Sequence, residues 1–301
     1  MDNLFHSNIG EIAALATAVC WTVSPIAFET AGKKVGSLSV NYIRLILAFI
    51  FIGIYTLFTR GMFLPFDASL QNWTWLFISG LIGFVIGDLF LFQAYVEIGS
   101  RLSTLIMATV PPISALAGFL ILGETLSIKD LLGMFITLVG IALVILVKGS
   151  GEKKIKLSHP VKGLIYALIG AFGQAFGLIF SKFGMGNYDP FAATQIRIIA
   201  AIIGFAIVIT FAKGWKNLFK ACKHATAMRS ITIGSLFGPF LGVSLSLLSV
   251  QYTTTGISST ITSISRILII PASIVIFKEK TNVKEVIGAL ITIVGVGILF
   301  L

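Results

Sequence analysis

The sequence predicts an all-α polytopic membrane protein, with ten transmembrane helices arranged as two inverted five-helix repeats. Three observations predict it. Apolar residues make up 56% of the 301 and charged residues 11%, with a mean hydropathy of +1.00. Soluble domains carry roughly 25% charge, so this chain has too little polar surface to cover a fold in water. The apolar residues gather into ten segments. The chain also repeats itself: GMFITLVGIAL, Gly133–Leu143, returns 155 residues later as GALITIVGVGI, Gly288–Ile298, and NYIRLILA around Arg44 matches TQIRIIAA around Arg197 at an offset of 153. A repeat of half the chain means that two similar units assemble, a plan used by many carriers built from duplicated membrane repeats.

The segments cover about 10–31, 40–59, 73–95, 102–122, 131–147, 163–181, 190–211, 231–250, 257–277 and 285–301. Most reach the roughly 20 residues that a helix needs to cross the hydrocarbon. The alternation of a β-barrel strand is missing from all of them. The opening residues lack the basic region and cleavage site of a secretory signal, so the first segment is expected to be a span. Five crossings per half is an odd number, so the second half starts from the opposite face. The halves are then related by a two-fold axis in the membrane plane. The Gly/Ser/Lys-rich linker Lys148–Gly163 divides them into units 1–150 and 151–301.

Along the first segment, Trp21 lies about eleven residues deep, deeper than the aromatic belt, and Pro25 follows it. The second opens with Arg44 and the third holds Asp88 and Gln93. The fourth carries Pro111-Pro112, and the short fifth a glycine stripe, Gly133 and Gly140, read as a packing face. The sixth has Gln174 where the first has Trp21, and the seventh repeats Arg44 as Arg197. Hydroxyls crowd the eighth (Ser244, Ser246, Ser249) and the ninth (Ser258 to Ser265), with Arg266 and Pro271 beyond. The tenth repeats the glycine stripe.

Ionisable groups inside a span are rare and cost about 2.5–3.5 kcal/mol each on insertion scales, so function is sought there. Asp88 and Arg266 lie about 15 and 9 residues into spans that run the same way, which at 1.5 Å per residue sets them within about 9 Å in depth. They are read as a charge pair, either at a cavity meeting substrate or proton, or as a structural lock between helices. Arg44 and Arg197 are equivalent across the repeat, which suggests architecture: snorkelling to headgroups or bonding the end of a neighbouring helix. Glu124 and Glu279 are expected to cap the helices that follow them. Pro25, Pro111, Pro112 and Pro271 are the expected hinges.

The net charge of +10 is topogenic. Outside the spans, 16 Lys and Arg fall on the face opposite the termini and three on the terminal face. Positive loops stay cytoplasmic, so the termini are predicted outside, with lipid headgroups as the neighbours of the basic loops. No soluble region is left to bind nucleic acid. Two cysteines without motif spacing and three histidines outside the spans argue against a metal, a cofactor or an enzyme, and there is no HExxH or GxxxxGK[ST] motif.

The run Thr104–Ile145, with Pro111, the Gly123–Glu124 pair and the Gly133–Gly140 stripe, resembles the drug/metabolite transporter superfamily, specifically its EamA-type repeat. Trp21 and the repeated Arg44/Arg197 add to the likeness. The resemblance implies ten spans in two inverted repeats around a central cavity. It implies a secondary transporter exporting a small organic metabolite across the cytoplasmic membrane by alternating access, within a lipid bilayer. The driving force is left open between a proton through Asp88, an ion and simple exchange. The resemblance departs where Arg266 replaces Pro111 and Gln174 replaces Trp21. The family is commonly drawn with both termini cytoplasmic, against the charge count. The substrate-binding candidates are Trp21, Asp88, Gln93, Gln174, Ser263 and Arg266. A membrane-embedded enzyme or a channel is the alternative reading.

Overall fold

The computed structural model describes residues 9–122, 127–148, 155–157, 160–252, 258, 261–278 and 283–300. The expected caps Glu124 and Glu279 lie outside the described residues. The first two spans are Ile9–Val35 and Ser37–Arg60. The apolar helical run that follows extends from Leu70 to Ala117, 48 residues, which would measure about 72 Å if straight against a hydrocarbon thickness of about 30 Å. It breaks at Gly99, whose φ of 81° and ψ of 160° suit a residue without Cβ. The third span is therefore 70–98 and the fourth 100–122. Seven described runs are long and apolar enough to cross a membrane. The Gly99 run counts twice, and the apolar helices Ser265–Phe277 and Val286–Ile298 bring the crossings to ten.

The fifth span is Ile128–Ile145, the sixth Val161–Met185, the seventh Pro190–Phe211 and the eighth 225–252. Asp189 caps the seventh by accepting from the Ala192 amide at 2.8 Å, with Pro190 in the first turn where no amide is needed. An amphipathic helix, Trp215–Cys222, joins the seventh to the eighth. It buries Leu218 and Ala221 and exposes Lys216 and Lys220. In the linker, Leu146–Lys148 pairs antiparallel with Ile155–Leu157. Outside that short ladder the described elements are helical.

The packing obeys the symmetry that the odd crossing number requires. The first span packs on the eighth and the sixth on the third; the first also meets the ninth, and the sixth the fourth. The second pairs with the seventh and the fifth with the tenth. Exchanging the repeats maps this set of neighbours onto itself. The fifth–tenth crossing shows it atom by atom. A Cβ on Gly140 would collide with Thr292, and one on its equivalent Gly295 with Thr137, the equivalent of Thr292. Both threonines return their hydroxyls to their own helices, Thr137 to Gly133 O and Thr292 to Gly288 O, each at 2.8 Å. Small residues let backbones approach in a medium where apolar burial drives no association. The outer surface is apolar: Phe58, Phe211 and Val275 are among its exposed side chains, as lipid contact demands.

Candidate functional site

The third and eighth spans each contain a segment of π-helix, Gly80–Gly87 and Leu236–Gly242. These are equivalent at the offset of 155, and such wide turns recur at functional sites because they shift the register of the side chains beyond them. The first delivers Asp88 to the centre of the protein. Asp88 Oδ2 is ion-paired to the Arg44 guanidinium, and its Oδ1 accepts from Gln174 Nε2 at 2.6 Å. Asn41 braces the pair, accepting from Arg44 Nε at 3.0 Å and donating to the Asp88 carbonyl at 3.2 Å. The Arg44 guanidinium also lies over the rings of Phe92, at 4.4 Å, and Phe28, at 5.5 Å. Arg44 and Asp88 are 3% and 4% exposed.

This cluster opens onto a cavity of about 220 Å³ in the middle of the spans. Its wall is built from repeat-equivalent pairs: Trp21 with Gln174, Pro25 with Leu178, Arg44 with Arg197, Phe84 with Pro239, and Pro111 with Arg266. The pseudo-axis therefore runs through the cavity. Its two sides differ in chemistry. The first repeat contributes Trp21, Phe28, Phe84, Phe92 and Tyr95; the second contributes Ser246, Ser258, Thr262 and Ser265 along with two arginines.

Of the sequence candidates, Trp21, Asp88, Gln174 and Arg266 reach the wall. Gln93 does not: its Oε1 accepts from Ser37 Oγ at 2.7 Å and its amide donates to Glu97 at 3.1 Å. Ser263 is buried outside the wall. The expected Asp88–Arg266 pair is corrected. Asp88 is held by Arg44 from the neighbouring span, while Arg266 donates to the Met107 carbonyl at 3.5 Å. Arg44 and Arg197 do not snorkel; both are buried and line the cavity.

The expected hinge prolines lie within helical segments. The helix Ile9–Val35 runs on through Pro25, and Ser265–Phe277 through Pro271. Pro111 and Pro112 sit in the first turn of Val110–Leu122, where their missing amides cost little. The irregularity lies just before them, in the 3₁₀ turn Met107–Thr109. The ninth span has a matching turn, in which the amides of Ile264, Arg266 and Ile267 each bond three residues back.

Polar contacts join neighbouring segments on both faces of the protein. On the face opposite the termini, the buried Glu29 pairs with Lys33 and accepts from the Ser100 amide at 2.5 Å, the first amide after the Gly99 break. Lys33 lies 5.0 Å over the Phe277 ring of the ninth span. On the terminal face, Arg60 pairs with Asp67, and Tyr188 donates to Asp67 Oδ1 at 2.9 Å. Partial burial and that carboxylate push the Tyr188 phenol up to about 12, so it stays a donor at neutral pH. Gln251 of the eighth span donates to the Tyr188 carbonyl at 3.4 Å.

Sequence reasoning missed Phe28, Phe84, Phe92, Tyr95 and Pro239. The equivalence of Arg44 and Arg197 was the available signal, since two intramembrane arginines at one depth mark one layer.

Comparison with known proteins matches the EamA-like transporter family to the chain twice, over residues 8–146 and 161–301. A protein of Archaeoglobus fulgidus described as an uncharacterized transporter is 26% identical over 200 residues, covering 64% of this chain. The chain spans 65% of that relative's length. A solved crystal structure superposes with a TM-score of 0.62 over 97% of this chain and 96% of the other, at 13% identity, which speaks to the fold alone.

Proposed function

The chain belongs to the EamA-like transporter family, and we propose that it is a secondary transporter moving a small organic metabolite across the cytoplasmic membrane by alternating access. The observation that carries this reading is the cavity on the pseudo-axis, walled by equivalent residues of both repeats. A site on the axis of an inverted repeat can be approached from either face by exchanging the conformations of the two halves. Polar contacts on both faces support the same reading: Glu29, Lys33 and Ser100 on one, Asp67 and Tyr188 on the other. Opening one set while the other holds would give access from one side at a time. The 3₁₀ turns before Pro111 and in the ninth span are where such rocking would bend the backbone.

Export is the direction implied by the resemblance of the repeat to metabolite exporters. Proton coupling runs through Asp88 in this reading. A proton on its carboxylate would release Arg44 into the cavity, linking protonation to the substrate site. The test is flux of a panel of labelled metabolites in reconstituted vesicles, with and without a pH gradient. Saturable flux of at least one compound, accelerated by the gradient, is the expected result. Flux that ignores the gradient removes the proton, and an inert panel removes the transport reading.

A further inference from the structure

Among the described residues, three arginines and one carboxylate line the cavity, a net charge of +2. Among these described residues only Arg44 has a carboxylate bonded to it, and Arg197 lies within electrostatic range of the same Asp88. Arg197 is 4% exposed, lies 4.6 Å over the Phe84 ring, and its Nε has no hydrogen-bond partner. Arg266 reaches one carbonyl at the limit of hydrogen bonding, and its Nε is likewise buried without a partner. A buried guanidinium with vacant donors is costly to hold unless something fills them.

The two repeats differ at both arginines. Arg44 bonds Asp88 within the first half; the equivalent residues of the second half are Arg197 and Val243, so the second half lacks that carboxylate. Arg266 stands where the first half has Pro111. Both differences add positive charge to a wall that also carries the hydroxyls of Ser246, Thr262 and Ser265. The aromatic rings of the wall come from the first repeat, Phe84 beside Arg197 and Phe28 and Phe92 beside Arg44. Guanidinium forks match carboxylate and phosphate oxygens in geometry, and aromatic faces suit an apolar body.

We infer that the transported substrate is a small organic anion, its oxyanion group held by Arg197 and Arg266 and its apolar body set against Trp21, Phe28 and Phe92. The inference rests on the transport reading for its biological meaning, but the site itself is tested by binding. The full chain in lipid nanodiscs is titrated with phenylacetate, phenyl phosphate, phenylacetamide and phenethylamine, followed by tryptophan fluorescence. At least one anion is expected to bind ten-fold or more tighter than the amide, and the amine to bind worst; the two anions separate a carboxylate site from a phosphate site. Arg197→Gln and Arg266→Gln should each erase that preference, while Arg266→Lys retains most of it. Val243→Asp, which restores the missing carboxylate beside Arg197, should also erase it, with elution as a single folded species as the check.

Equal binding of amide or amine overturns the proposal, as does an anion preference that survives both Val243→Asp and Arg266→Gln. Vesicles that carry neutral or cationic compounds but exclude anions also overturn it, while leaving transport standing. Arginine-dependent anion binding without flux would support the site and remove the transport reading.

Discussion

Arg44 is ion-paired to Asp88, whereas their repeat equivalents, Arg197 and Val243, form no such bond. The two halves thus share a scaffold and differ in charge at the same layer. The Arg44–Asp88 pair sits in the cavity wall with Asn41 and Gln174 completing its hydrogen bonds, which is the condition under which a buried ion pair is tolerated.

Removing one partner strands the other. Asp88→Asn is expected to destabilise the protein by about 3–5 kcal/mol and to stop flux. Combining it with Arg44→Gln should recover much of the stability without recovering flux. Thermal unfolding in detergent and vesicle flux read the two effects separately. Full flux in Asp88→Asn would take the pair out of the mechanism.

The fifth–tenth crossing depends on Gly140 and Gly295 having no side chain. Gly140→Ala is expected to cost about 1–3 kcal/mol by overpacking and Gly140→Leu more, both seen as a lower melting temperature. Gly36, where a Cβ would meet nothing within 4 Å, provides the contrast: any loss there comes from its positive φ of 82° and not from crowding.

Glu29 ties the first span to the start of the fourth. Glu29→Gln weakens its charge-assisted bonds by about 1–3 kcal/mol and should loosen closure on the face opposite the termini. A cysteine at Ser24, in the cavity wall, would then react faster with an impermeant thiol reagent added from that face, in a background lacking Cys20 and Cys222. An unchanged labelling rate would make Glu29 a purely structural cap.

The basic loops set the topology. Single cysteines in the linker Lys148–Lys162, or between Lys213 and Arg229, are expected to resist an impermeant thiol reagent in intact cells, because 16 of the 19 basic residues outside the spans share that face. Ready labelling would place the termini in the cytoplasm.

The ten spans and the repeat were legible because apolar length and a constant offset survive in the letters themselves. The Gly99 junction fell in the gap between the third and fourth segments, where Glu97 and Arg101 interrupt the apolar run; the residue at which the backbone turns was not legible, because a reversal leaves no periodic trace. Depth was legible too: Asp88 and Arg266 do reach one cavity. Their bonding was not, because spacing along a helix does not say which neighbour a side chain meets. Arg44 and Arg197 were read as scaffold for their equivalence, yet an in-plane axis brings equivalent residues to opposite sides of one cavity. The π segments were invisible for a further reason: wide turns arise from packing between spans and have no composition of their own.

If the cavity on the pseudo-axis is the path of a small molecule, filling it must stop flux. Ser246 lies in its wall. The most direct test measures flux of the labelled panel in vesicles holding Ser246→Cys without Cys20 and Cys222, before and after a bulky thiol reagent. Saturable flux of at least one compound is expected, abolished by the reagent and protected by that same compound. Flux that persists undiminished through a fully modified cavity would contradict that reading of the cavity.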